Sequence, residues 1–217
     1  MAQRDQKECI LESLGKALEE GKVDEGIIDL LRLINSHPDL VTTSSCSGRV
    51  QIILVDAPGD KCGSRVMRKW HGTPGPEEME NAYRSWDGRG HLMVMAQPLL
   101  LHVRARDLDT GIRFRNVSQN AGLKHSTIRS LRLVRGRVPE WGVTVEALGT
   151  ERMEFPLNLL GSSPDRNVFR GISEHCGTLI NRTKSHIPRL KERFRTEFSE
   201  GLGPDHPVRT VDIGTKD

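Results

Sequence analysis

Leu40-Val41-Thr42-Thr43-Ser44-Ser45-Cys46-Ser47-Gly48-Arg49-Val50-Gln51-Ile52-Ile53-Leu54-Val55 is the stretch on which the reading of this chain turns. Its two ends, residues 40–42 and 50–55, are aliphatic and β-branched and read as strands. The eight residues 42–49 supply five hydroxyls, one thiol, one glycine and one guanidinium. A tight hairpin turn needs only two residues, such as Asn-Gly. Two readings fit: a solvated Ser/Thr turn, or a loop that brings backbone and hydroxyls close to a ligand.

On the N-terminal side, Ile10, Leu14 and Leu18 form the apolar stripe of a helix over residues 4–20, closed by Gly21. Asp24 is placed to cap a second helix, with Glu25 in its first turn and Ile27, Leu30, Leu31 and Ile34 on its buried face. His37-Pro38 ends it.

On the C-terminal side, residues 56–63 form a loop and 64–71 a strand. Pro74 to Glu78 starts a helix in which Met79, Ala82, Tyr83 and Trp86 recur at helical spacing, more often a core stripe than a base-stacking platform. Strands follow at 91–95 and 98–105. The run Leu99-Leu100-Leu101-His102-Val103 reads as a strand buried on both faces, in which His102 alone suggests a satisfied core histidine. A helix over 107–121 stops at Gly122, and 123–127 is a polar elbow before a strand at 131–134. Residues 141–148 alternate as a half-exposed strand, and 153–157 form an edge strand, since Pro156 cannot donate to a ladder. Residues 167–198 are helical with a break near Pro188, and the Gly/Pro-rich residues 201–217 read as a mobile tail. One domain over residues 1–200 is the expectation.

Composition narrows the function. No apolar run approaches the roughly 20 residues of a membrane span. The first residues lack a signal-peptide apolar core, so a cytoplasmic protein is expected. Four scattered cysteines with no C-x-x-C pair argue against a disulfide framework or zinc knuckle. His71, His91, His102 and His125 do not share ligand spacing on one element, so no metal is expected. Charge is segregated. Residues 1–40 hold five Lys/Arg and nine Asp/Glu, whereas 102–137 hold nine Lys/Arg and two Asp, and 182–195 hold six and one Glu. That is the footprint of a protein meeting a polyanion, although a network of ion pairs produces it too. Neither G-x-G-x-x-G nor a P-loop occurs.

Four segments in order carry a resemblance: Val23-Asp24-Glu25 with its helix, the stretch 42–49, Leu101-His102-Val103, and Ala121-Gly122-Leu123-Lys124-His125-Ser126-Thr127-Ile128. With Lys69-Trp70-His71 as a weaker element, the chain resembles the tRNA wybutosine-synthesizing protein 3 family over roughly residues 5–190. The resemblance implies an α+β fold with a mixed, largely antiparallel sheet and flanking helices, not the Rossmann methyltransferase fold. It also implies S-adenosylmethionine-dependent N-methylation of the wyosine-type guanosine (aminocarboxypropyl-demethylwyosine) beside the anticodon of phenylalanine tRNA.

On that reading Ser44, Ser45, Ser47, Gly48 and Arg49 hold the cofactor, and His71 or His102 takes a proton. Trp70 stacks the tricycle, and Arg104, Lys124, His125 and Ser126 contact the anticodon arm. Two alternatives stay open: a non-catalytic tRNA-binding module, and a thiol enzyme built on Cys46.

Overall fold

Two four-stranded antiparallel sheets, each backed by its own helices and core, share the chain between them. The computed structural model describes residues 6–57, 63–161 and 163–199; the expected tail at 201–217 and most of the expected loop at 56–63 lie outside them. The first sheet has the order β1 (Leu40–Cys46), β5 (Leu100–Ala105), β7 (Val143–Leu148), β6 (Thr127–Leu131). The second runs β3 (Arg65–Trp70), β2 (Arg49–Val55), β4 (His91–Gln97), β8 (Met153–Pro156). Every pairing among the described residues is antiparallel, so the α+β expectation holds and those residues form no parallel Rossmann sheet.

Helices cover one face of each sheet. α1 (Gln6–Glu19), α2 (Ile28–Ser36), α4 (Leu108–Asn120) and α6 (His186–Glu197) belong with the first, and α3 (Pro76–Arg84) and α5 (Arg166–Lys184) with the second. The first core gathers Leu30, Ile34, Leu101, Val103, Phe114, Val145, Phe194 and Phe198. The second gathers Val50, Ile52, Met79, Tyr83, Val94, Phe169 and Ile180. Each buried Phe is worth roughly 1.5–3 kcal/mol relative to exposure, so the four buried ones anchor both layers. The stripe of Met79, Ala82 and Tyr83 is core, as its spacing indicates.

Local signals place the helices. Asp24 caps a short 3₁₀ turn (Glu25–Ile27) that leads into α2, and Asp107 caps α4 by accepting from the Thr110 N–H. Gly21 closes α1 with φ +63°. The long C-terminal helical pattern is broken at Ser185, so α5 packs on one core and α6 on the other.

Three strand readings are corrected. Residues 42–46 are not a loop but the second half of β1, because β5, more than fifty residues away, supplies their ladder partners. β5 is buried on one face only: Leu101, Val103 and Ala105 point into the core while Leu100, His102 and Arg104 lie on the half-buried opposite face. The strand expected at 131–134 begins at Thr127, whose partner is Glu146; beyond Leu131 the chain runs out into an exposed hairpin.

The chain passes between the sheets at three places: Ser47-Gly48, Pro98-Leu99 and residues 149–152. These links meet. The Gly149 N–H donates to the Leu99 carbonyl at 3.1 Å, and the Leu99 N–H to Thr183 Oγ1 of α5 at 2.8 Å. The seam of the molecule therefore lies at the end of the Ser/Thr-rich stretch.

Candidate active site

The outward face of the first sheet carries a hydrogen-bonded line of side chains. Ladder pairing sets Ser44 opposite His102, and His102 opposite Glu146. Ser44 Oγ lies 2.6 Å from His102 Nδ1, and His102 Nε2 lies 2.8 Å from Glu146 Oε2. Arg129, from β6, closes the line with an ion pair to the same carboxylate. Burial pushes the Glu146 carboxyl up, but the hydrogen bond from His102 and the Arg129 charge outweigh it and hold it below its ordinary value. An ionised Glu146 can only accept, so it fixes the His102 proton on Nε2. Nδ1 is then the acceptor, and the Ser44 hydroxyl donates to it. The oxygen lone pairs of Ser44 remain available on an exposed strand residue.

A second cluster forms at the seam. Both the Ser47 N–H and its hydroxyl donate to Asp24, the N–H at 3.2 Å, and His71 Nδ1 lies 3.3 Å from the same carboxylate oxygen. Burial raises the Asp24 carboxyl, and the Ser47 and Gly26 hydrogen bonds with the His71 charge more than offset it, so the group sits below its ordinary value. Ser44 and Ser47 are three residues apart, at most about 10 Å of chain. The two histidines named from sequence thus attach to the two ends of one short segment.

The remaining predicted residues divide sharply. Ser47 is 0% exposed with both donors committed to Asp24, so it positions that carboxylate and does not offer its hydroxyl to a cofactor. Gly48 has φ +107°, and a Cβ there would lie 2.7 Å from Thr183 Cγ2; the crowding that demands glycine comes from the protein itself. Ser45 stands half-buried opposite Leu101. Arg49 donates Nε to Gln97 at 2.6 Å, which leaves its terminal nitrogens for a carboxylate or phosphate. Arg104 shares the face of His102, and its guanidinium has no partner among the described residues. Trp70 packs against the second core and gives its indole N–H to Glu78 at 3.0 Å. Lys124 and His125 are exposed on the turn before β6. Ser126 is corrected as an RNA contact: it is 1% exposed and donates its hydroxyl to the Leu123 carbonyl at 2.6 Å, closing that turn.

Sequence reasoning missed Glu146, Arg129, Gln97 and Thr183, and gave Asp24 no role beyond a helix cap within one of the segments that carry the resemblance. Glu146 is one polar residue of an alternating strand; only the register against His102 distinguishes it.

Behind the seam, Glu151 Oε1 accepts from His186 Nε2 at 2.9 Å, and both are nearly fully buried. Burial raises the Glu151 carboxyl, but the His186 hydrogen bond and neighbouring backbone N–H groups outweigh it and depress it. A depressed carboxyl contributes stability that is complete above its unfolded pKa, near 4.5, and is lost as pH falls through the lower folded value. Urea titrations of Glu151→Gln and the parent chain should therefore differ most at neutral pH and converge in acid. A gap independent of pH would contradict this coupling.

Relatives share this architecture. A family model described as Methyltransferase TYW3 matches residues 5–196. A protein of Thermococcus sibiricus named tRNA(Phe) 7-((3-amino-3-carboxypropyl)-4-demethylwyosine(37)-N(4))-methyltransferase is 36% identical, over 88% of this chain and 93% of its own. A Pyrococcus abyssi protein of the same name, numbered 1, is 35% identical over 88% and 95%. The solved structure of the PH1069 protein from Pyrococcus horikoshii superposes with a TM-score of 0.76 at 31% identity, covering 86% of this chain and 93% of that one. The fold and site thus define a methyltransferase built on antiparallel sheets, outside the Rossmann class. The chain belongs to the Methyltransferase TYW3 family.

Proposed function

We propose that this chain methylates nitrogen 4 of the aminocarboxypropyl-demethylwyosine at position 37, beside the anticodon of phenylalanine tRNA, with S-adenosylmethionine as donor, in the cytoplasm. The observation that carries the reading is the line Ser44–His102–Glu146–Arg129 on an open sheet face, in a chain of this family. No helix of the described residues is long and apolar enough to cross a membrane.

The donor set fits the cofactor. Ser44 offers its hydroxyl on the open face, Ser45 offers a half-buried one from the other face of the same strand, and the terminal nitrogens of Arg49 offer a cation for its carboxylate. When bound, S-adenosylmethionine supplies an electrophilic methyl group on sulfonium. The protein's own tasks are to orient the ring nitrogen in line and to remove its proton. The Ser44 oxygen accepts the ring N–H proton as its own hydroxyl proton moves to His102 Nδ1. The resulting imidazolium is held by the Glu146 carboxylate, itself steadied by Arg129. Asp24, held by Ser47, fixes His71 at the other end of the segment. The basic residues Arg104, Lys124 and His125 meet phosphates of the anticodon arm, and the half-buried Trp70 at the end of β3 offers its ring for the tricycle to stack on.

Calorimetric titration with S-adenosylmethionine tests the cofactor site. The Ser44→Ala, Ser45→Ala, Arg49→Ala triple variant should bind at least about tenfold more weakly, since a charge-assisted hydrogen bond alone is worth about 1.5–3 kcal/mol. Unchanged affinity would remove this segment from the site. Mass spectrometry of nucleosides from tRNA incubated with the protein and labelled donor tests the reaction, through the gain of one methyl on the tricycle.

A further inference from the structure

The hairpin that joins β6 to β7 is chemically unlike the rest of the surface. Its tip carries Leu131, Leu133 and Val134 at 45%, 64% and 45% exposure, three of the eight large exposed apolar residues among those described. They fall within four consecutive positions. Around them stand Arg132, Arg135 and Arg137, whose side chains have no hydrogen bond or ion pair among the described residues. No acidic residue occurs between Asp109 and Glu140, and Glu140 is already engaged by Arg106.

The tip of the arm is closed by a defined turn. The Val134 and Arg137 backbones exchange two hydrogen bonds, at 2.9 and 3.1 Å, across a two-residue turn. Its central residues, Arg135 and Gly136, have φ +51° and +76°. That is a mirror-image type I turn, where Asn, Asp or Gly is favoured at the first central position. Arginine there holds a left-handed backbone at a cost in stability that Asn avoids. A strained cation at an exposed apolar tip points to a ligand with negative charge and flat apolar faces.

We infer that this hairpin is an RNA-wedging arm. Leu133 and Val134 enter the base stack near the reacting nucleotide, while Arg132, Arg135 and Arg137 hold the flanking phosphates or stack on bases. Apolar side chains inserted between bases are a known way to open nucleic-acid stacks, and arginine both pairs with phosphate and stacks on bases. The placement suits the role. Arg129, on the strand that leads into the arm, is ion-paired to Glu146 of the active-site line. From Arg129 to Arg135 is at most about 20 Å of chain, the length of some six stacked nucleotides at about 3.4 Å each. The inference rests on reading the chain as a tRNA methyltransferase and adds how the target base is freed from its stack.

The test uses the intact protein, no methyl donor, and an anticodon stem-loop RNA with 2-aminopurine next to the target nucleotide. The parent protein should raise the 2-aminopurine fluorescence as stacking is broken. Leu133→Ser/Val134→Ser should abolish that rise while affinity falls less than about tenfold. Arg132→Gln/Arg137→Gln should weaken binding about tenfold or more and flatten the dependence of log K on log salt by about 1–2. Arg135→Asn should raise the thermal midpoint while lowering RNA affinity. An unaltered fluorescence rise in the Leu/Val variant, or unaltered affinity in the arginine variant, overturns the proposal. So does a shift from dimer to monomer in the Leu/Val variant with RNA binding intact, which would make the tip a self-association surface. Because no methyl donor enters, failure of this test leaves the transferase reading untouched, and failure of methylation leaves this result interpretable.

Discussion

Methyl transfer by His102→Ala should fall by about 100-fold or more under single-turnover conditions, the range expected when a positioned base is removed. The variant deletes both contacts of the imidazole: Ser44 Oγ loses the acceptor at 2.6 Å, and Glu146 loses the donor at 2.8 Å. Arg129 remains on Glu146, so the carboxylate stays paired and the fold should survive. The diagnostic readout is chemical rescue: added imidazole should restore part of the rate to His102→Ala, whereas a merely structural role would leave the rate unrescued. Glu146→Gln should show an intermediate defect, about tenfold, because the amide no longer fixes the tautomer or stabilises the imidazolium. Full activity in His102→Ala would transfer the role of base elsewhere, with His71 the next candidate.

Gly48→Ala should destabilise the protein by about 3 kcal/mol, the sum of a left-handed backbone strain and an overpacked contact. At φ +107° a side chain is strained whatever the space, and its Cβ would lie 2.7 Å from Thr183 Cγ2 and 3.3 Å from the Gln97 carbonyl. Thr183 cannot easily move, since its hydroxyl accepts the Leu99 N–H at the crossing between the sheets. Thr183→Ser removes the offending methyl and keeps that hydroxyl. The double variant should therefore recover the steric part and leave the backbone part, a coupling that a double-mutant cycle measures. Gly15, whose Cβ would meet nothing within 4 Å on α1, provides the contrast: Gly15→Ala should be neutral or stabilising by up to about 1 kcal/mol. Equal urea midpoints for Gly48→Ala and the parent would refute the crowded seam.

The helices were largely legible because their determinants are local. The Asp24 and Asp107 caps, the terminating Gly21 and the stripes at Leu30, Ile34, Met79 and Tyr83 are set within a few residues of each other. Strand limits were less so. A serine-rich run looks like a turn until a partner is known, and β1 owes residues 42–46 to β5. The same holds at β6, whose start is decided by Glu146 across the ladder.

For the site, sequence alone singled out the Ser/Thr-rich stretch, Arg49, His71 and His102, and the fold brings them into the two clusters or beside them. It could not determine which of them act outward. Ser44 and Ser47 are chemically identical and three residues apart, yet one faces the open side of a sheet and the other is sealed against Asp24. Nor could it supply Glu146, 44 residues beyond His102, as the group that sets the tautomer of that imidazole. Residue identity fixes what a group can donate or accept. Its orientation and its partner come from ladder register and from the crossing at Ser47-Gly48, and both are set by contacts between segments distant in the chain.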